Sequence, residues 1–149
     1  MVDEARVEAQ RVIASLRPFV ERGIPIVGLE PSCLLTLRDE FPSLLPSDES
    51  TALSQHAFLF EEFLAAEAAK GQLQLNLKAL PAKRALLHGH CHQKAFAVMS
   101  SVQKVLSMVP ELEVEVVESS CCGMAGSFGY DAKHFDTSMK MGELSLLPA

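Results

Sequence analysis

The sequence predicts an α/β fold: three layers, with a short, mainly parallel sheet covered by helices on both faces. Three observations predict it. Short apolar runs are bounded by turn residues, segments of helical spacing alternate with them, and the chemistry-bearing residues cluster just past the runs' C-terminal ends.

Residues 3–20 place Ala5, Ala9, Val12, Ile13, Leu16, Phe19 and Val20 at helical spacing, and Gly23 stops that helix. Residues 24–29 form an apolar run that reads as a buried strand, with Pro25 tolerable near its start. Ser32 is a fair N-cap for a helix from Cys33 to about Phe41. A Pro/Ser/acid loop spans 42–50, and helical spacing resumes over 51–70 through Leu53, Ala57, Phe60 and Leu64. Residues 72–77 alternate, with Leu73, Leu75 and Leu77 on one face, which predicts a half-exposed strand. Residues 85–87 are a second buried strand running into His88-Gly89-His90-Cys91-His92. A helix with Ala95, Val98, Val102, Val105, Leu106 and Val109 on one face then stops at Pro110. Residues 112–117 make a third strand, a glycine-rich stretch covers 123–130, and Asp131 caps a last helix to about Leu147. No linker divides the chain, so residues 1–149 read as one domain.

Composition narrows the function classes. The chain is 48% hydrophobic and 21% charged, an ordinary globular balance. A formal charge of −6 argues against general nucleic-acid binding, which needs a Lys/Arg surplus. No apolar run spans a bilayer and the N-terminus is no secretory signal, so a reducing, cytoplasmic setting is expected.

The four cysteines carry the most information. Cys33, Cys91 and the adjacent pair Cys121-Cys122 each follow a predicted strand, which would deliver all four thiols to one rim. Core filling would favour strand interiors instead, and a disulfide between neighbouring residues needs a strained ring. Soft thiolates point to zinc or an iron–sulfur cluster. Zinc sites usually use CxxC or HxxxH pairs, whereas adjacent cysteines reach different irons of a larger cluster, and Gly123 lets the backbone approach it. A three-histidine zinc site from His88, His90 and His92 is a further alternative, with a supporting role beside the thiols favoured for these residues. A Cys91–histidine nucleophilic dyad leaves Cys121-Cys122 unexplained. The glycine-rich stretch lacks the GK[ST] ending of a phosphate loop. His56 and His134 read as surface or packing residues.

Glu30-Pro31-Ser32-Cys33, the block from His88 to Ala95 and the block from Ser119 to Tyr130 resemble the CCG (cysteine-rich) domain of FAD-linked oxidases and Fe-S oxidoreductases. That family includes the iron–sulfur component of glycolate oxidase, a component of anaerobic glycerol-3-phosphate dehydrogenase, lactate-utilisation proteins and a component of heterodisulfide reductase. The likeness covers nearly the whole chain, and its Cys-Cys-Gly block is the specific part. Cys91 matches the motif's leading cysteine and Cys121-Cys122 its pair, with 29 residues between. Cys33 matches the last cysteine of a preceding half-motif. No cysteine follows Cys122, where relatives continue to a CxxC, so the resemblance implies a C-terminal fragment of a larger protein. It also implies a [4Fe-4S] electron-transfer module of a FAD-linked dehydrogenase of the glycolate or D-lactate type. The ligands would be Cys33, Cys91, Cys121 and Cys122, beside Gly123, with His88, His90 and His92 around them. FAD and ferredoxin-like domains would lie upstream and a quinone or other acceptor downstream, a setting compatible with peripheral association at the inner face of a membrane. The fragment alone would have no dehydrogenase activity. The competing expectation is a non-catalytic zinc-binding or thiol-redox interaction domain.

Overall fold

The computed structural model describes residues 1–149 and forms two compact units, Met1–Gln74 and Leu75–Ala149. The class is α/β, as expected, and every strand pairing is parallel. The pairing is divided between two two-stranded sheets, β1-β2 in the first unit and β3-β4 in the second. No helix is long and apolar enough to cross a membrane.

The first unit opens with α1 (Val2–Val20), whose Ala9, Ile13 and Val20 are buried at helical spacing. Gly23 ends it with φ +70°, and the Ile24 amide returns to the Phe19 carbonyl at 3.0 Å, the closure of a Schellman turn. Strand β1 (Ile26–Gly28) pairs with β2 (Ala57–Leu59), Ile26 opposite Ala57 and Gly28 opposite Leu59. Between them lie α2 (Pro31–Thr36), α3 (Glu40–Leu44) and α4 (Asp48–His56), and α5 (Phe60–Ala69) follows. Leu34, Leu35, Leu37, Leu53, Ala57 and Leu59 complete the core. Arg38 reaches Glu62 at 2.8 Å, and the same carboxylate accepts the Leu59 amide at 3.0 Å, tying α5 back to its own start.

Strand β2 corrects the expected continuous helix over 51–70. Ala57 and Leu59 are 2% and 1% exposed, and alternate burial on a strand beside β1 overrides the local helical pattern. The helix expected from Cys33 begins instead at Pro31, with Glu30 rather than Ser32 as its cap, because proline's fixed φ already suits the first helical position. It stops at Thr36, and α3 is separate.

The second unit pairs β3 (Arg84–Leu87) with β4 (Glu113–Val116), Arg84 opposite Glu113 and Leu87 opposite Val116. Arg84 also forms an ion pair with Glu115, and the Val117 amide extends the ladder to the Leu87 carbonyl at 2.9 Å. The crossover holds α6 (Cys91–Ala95) and α7 (Met99–Leu106). The single helix expected there is interrupted at Ala97, which takes the left-handed φ of 55°, while the Val98 amide closes onto the Gln93 carbonyl at 3.0 Å. Two short 3-10 turns, Phe128–Tyr130 and Ala132–His134, replace the expected start of the last helix, so α8 spans only Phe135–Glu143. The expected strand at 72–77 is irregular, because leucine alternation without a neighbouring strand has no hydrogen-bonded ladder to join. Val98 and Val102 are the fully buried apolar side chains of this unit; Gln93, Ser138 and the glycines at 89, 123 and 142 are buried as well.

Candidate functional site

Two parallel strands leave a sheet at the same edge, and in the second unit the segments beyond that edge carry three histidines and three of the four cysteines. His88 follows β3 and Ser119 lies three residues past β4; His88 Nδ1 sits 2.6 Å from Ser119 Oγ. Burial first, then the positive charge of Lys94 and the nearness of His90, push the His88 imidazole below its ordinary pKa of 6.5. The serine hydroxyl in turn reaches the Val117 carbonyl at 3.5 Å, so the ring is tied to the end of β4.

Beyond His88 the chain turns at Gly89, which is buried. His90 caps α6: its amide donates to Gln93 Oε1 at 3.0 Å, and its Nδ1 accepts the His92 amide at 3.2 Å. The His90 and His92 rings stack with centroids 5.2 Å apart, and His92 Nδ1 is a buried nitrogen with no hydrogen-bond partner. Cys91, the first residue of the helix, has an exposed thiol.

Beyond β4, Cys121 and Cys122 are half-buried free thiols, and the Gly123 amide donates to Cys121 Sγ at 3.3 Å. Helix α8 backs this segment. Gly123 has φ +88°, and a side chain there would place its Cβ 2.1 Å from the Ser138 carbonyl oxygen; a Cβ at Gly142 would lie 3.3 Å from the Cys122 carbonyl. The close approach that Gly123 permits in this structure is to the protein's own helix α8.

Cys33 belongs to the first unit. It follows β1 and is exposed beside an open apolar groove of about 440 Å³ lined by Gly28, Leu29, Leu34 and Leu37. Its amide donates to Glu30 Oε2 at 2.6 Å, and this bond, with the thiol's own, holds the Glu30 carboxyl down to about 2. In return, hydrogen bonding to Glu30 and its negative charge push the Cys33 thiol up.

The depressed Glu30 carboxyl contributes stability above its ordinary 4.5 and loses it as the pH falls toward about 2. Glu30→Gln is expected to cost about 0.5–1 kcal/mol at neutral pH, the worth of an exposed helix cap, with the gap from the wild type closing through that acid window. Urea titrations at pH 7, 4 and 2.5 check this. Alkylation of Cys33 at pH 8 is expected to speed up in the same variant, since removing the carboxylate lets the thiol ionise more readily.

The chemistry of the donor set fits a thiophilic, anionic inorganic group. Cys91, Cys121 and Cys122 are unpaired, a backbone N–H already points at one sulfur, and the Lys94 ammonium lies beside the segment. No three His, Cys, Asp or Glu side chains of this unit gather about a common point suited to one metal ion. Residue spacing alone gave no notice of Lys94, Ser138 or Gly142. The one available signal was position: Lys94 falls one helical turn after Cys91, on a helix leading away from the same sheet edge.

No family model and no solved structure matches the chain. It is similar to the C subunit of anaerobic glycerol-3-phosphate dehydrogenase of Escherichia coli (strain K12), 33% identical over 141 residues, covering 94% of this chain and 35% of that protein. A second homologue is the D-2-hydroxyglutarate dehydrogenase of Haemophilus influenzae, 28% identical over 143 residues, covering 92% of this chain and 14% of that protein. The Escherichia coli (strain K12) D-2-hydroxyglutarate dehydrogenase is 27% identical over 139 residues, covering 92% of this chain and 13% of that protein. The chain thus spans about a third of the first relative's length and about a seventh of the others'.

Proposed function

We propose that the chain is a CCG-type cysteine-rich module that carries electrons for a FAD-linked dehydrogenase through a [4Fe-4S] cluster. One observation carries the reading: parallel β3 and β4 bring Cys91 and the Cys121-Cys122 pair to a single sheet edge. The similarity to a component of one dehydrogenase and to dehydrogenases of a 2-hydroxy acid agrees with it. A glycolate or D-lactate type of substrate, FAD and ferredoxin-like partner domains, a quinone or similar acceptor, and a place on the cytoplasmic side of a membrane belong to the same proposal.

Cys91, Cys121 and Cys122 are the proposed ligands in the second unit, while Cys33 stands in the first. A bound cluster would supply single-electron transfer. The chain's own residues do the rest. Each ligating thiol must lose its proton, and the Gly123 N–H stabilises negative charge on Cys121 sulfur. Neutral His88 holds Ser119 without adding a second positive charge beside Lys94.

Anaerobic reconstitution with iron and sulfide tests the reading. The wild type is expected to develop an iron–sulfur absorption band and an EPR signal on reduction, and Cys121→Ser is expected to lose at least about nine-tenths of the band, as removal of a thiolate ligand requires. Stoichiometric zinc with no chromophore would establish the zinc-binding alternative instead.

A further inference from the structure

The backbone leading into Cys121 is fastened by a side chain from the helix that begins at Cys91. Lys94 Nζ donates to the Ser119 carbonyl at 2.9 Å and to the Ser120 carbonyl at 2.6 Å. Consecutive carbonyls of an extended chain point in opposite directions, so two neighbouring oxygens on one ammonium fix the intervening torsions. The same two residues are held elsewhere as well. Ser119 Oγ meets His88 Nδ1 at 2.6 Å, and the Ser120 amide reaches Ser145 Oγ at 3.4 Å.

We infer that Lys94 is a positioning residue: its ammonium locks the Cys121-Cys122 segment to the Cys91 helix and keeps a positive charge beside the thiols. The inference rests on the reading of that segment as ligand-bearing only for its purpose, since the two bonds stand independently of any guest. An ammonium has three N–H donors and no acceptor, so two carbonyls are natural partners, and a neutral apolar replacement leaves both oxygens without one. Bonds from a charged donor are also the stronger kind. Nothing else in the second unit bridges α6 to the segment before Cys121 through a charged group; His88 acts from the strand exit, ahead of the helix.

The test uses the full chain, reduced and metal-free, as wild type, Lys94→Met and Lys94→Arg. Amide hydrogen exchange is followed by mass spectrometry in peptides spanning 117–124, with peptides from α7 and from α1 as internal references. In Lys94→Met the 117–124 amides are expected to exchange about ten- to a hundredfold faster, the effect of losing charge-assisted bonds, while the reference peptides stay at the wild-type rate. Lys94→Arg, which keeps the charge and the donors, is expected to restore most of the protection. Unchanged exchange in Lys94→Met would overturn the inference, as would equal acceleration throughout the unit, which marks a general loss of stability. Failure of the arginine variant to recover protection would overturn the charged-donor account. Reconstitution with iron and sulfide is run on the same three proteins, with at least a several-fold lower chromophore yield expected for Lys94→Met. A wild type that takes up no cluster would defeat the proposed function while the exchange result still decides the role of Lys94.

Discussion

Gly123→Ala is expected to destabilise the second unit by about 2–5 kcal/mol, the sum of a strained backbone and a steric overlap that only main-chain movement can relieve. Both contributions are visible. The residue holds φ +88°, outside the range an L side chain readily adopts, and the new Cβ would lie 2.1 Å from the Ser138 carbonyl oxygen and 3.0 Å from its Oγ. A flexible side chain could swing away, but the nearest atom belongs to the α8 backbone. Either α8 retreats or the Cys-Cys-Gly segment does, and in both cases the Gly123 N–H loses its aim at Cys121 sulfur. Gly126→Ala makes an informative comparison, since it too has a positive φ, of 64°, but has open space where the Cβ would go. Only the backbone cost applies there, about 1 kcal/mol. Urea denaturation, followed through exchange of second-unit amides, separates the two variants; equal losses would mean that the close approach to Ser138 is unimportant.

Leu35→Ala is expected to cost about 3–5 kcal/mol in the first unit, as for large-to-small changes at sites that cannot collapse. Leu35 is 0% exposed and lies on α2, which packs against both β1 and β2. Its loss leaves a void under the short helix that presents Cys33. The control is close in sequence: Leu29 is 80% exposed, and its change to alanine should fall within about 0.5 kcal/mol of the wild type. Urea midpoints of the two variants check the contrast, and a Leu35→Ala midpoint near that of Leu29→Ala would contradict the packing described.

The parts of the fold legible in the sequence were those whose signal is local. The first helix, β1, β3 and β4 fall where apolar runs and turn residues place them, but β1 and β3, expected to be buried, are only half-covered, with Val27 and Leu86 exposed. Strand β2 was illegible for a physical reason. Ala57-Phe58-Leu59 continues a helical periodicity, and only its pairing with Ile26–Gly28, remote in sequence, makes extension the better choice. The leucines at 73, 75 and 77 show the converse: alternation satisfies the strand pattern while no neighbour supplies a ladder. At the candidate site, the thiols and histidines could be singled out by residue type and by their positions at strand exits. The groups that fix them could not. Lys94 reaches carbonyls 25 and 26 positions away, and Ser138 is recognisable only once α8 lies over Gly123. Such contacts depend on tertiary closure, which spacing along the chain does not encode.

Val98 and Val102 are the aliphatic side chains of the second unit that are fully buried; its other apolar residues are half-covered or exposed. A scaffold so lightly filled has little hydrophobic reserve, and polar ties and tightly packed glycines must supply cohesion that leucines supply in the other half. Any guest that prefers the folded form would then act as a keystone, adding its affinity to the folding equilibrium by mass action. Loading and folding become one linked event, so the melting temperature of this half should climb with guest concentration.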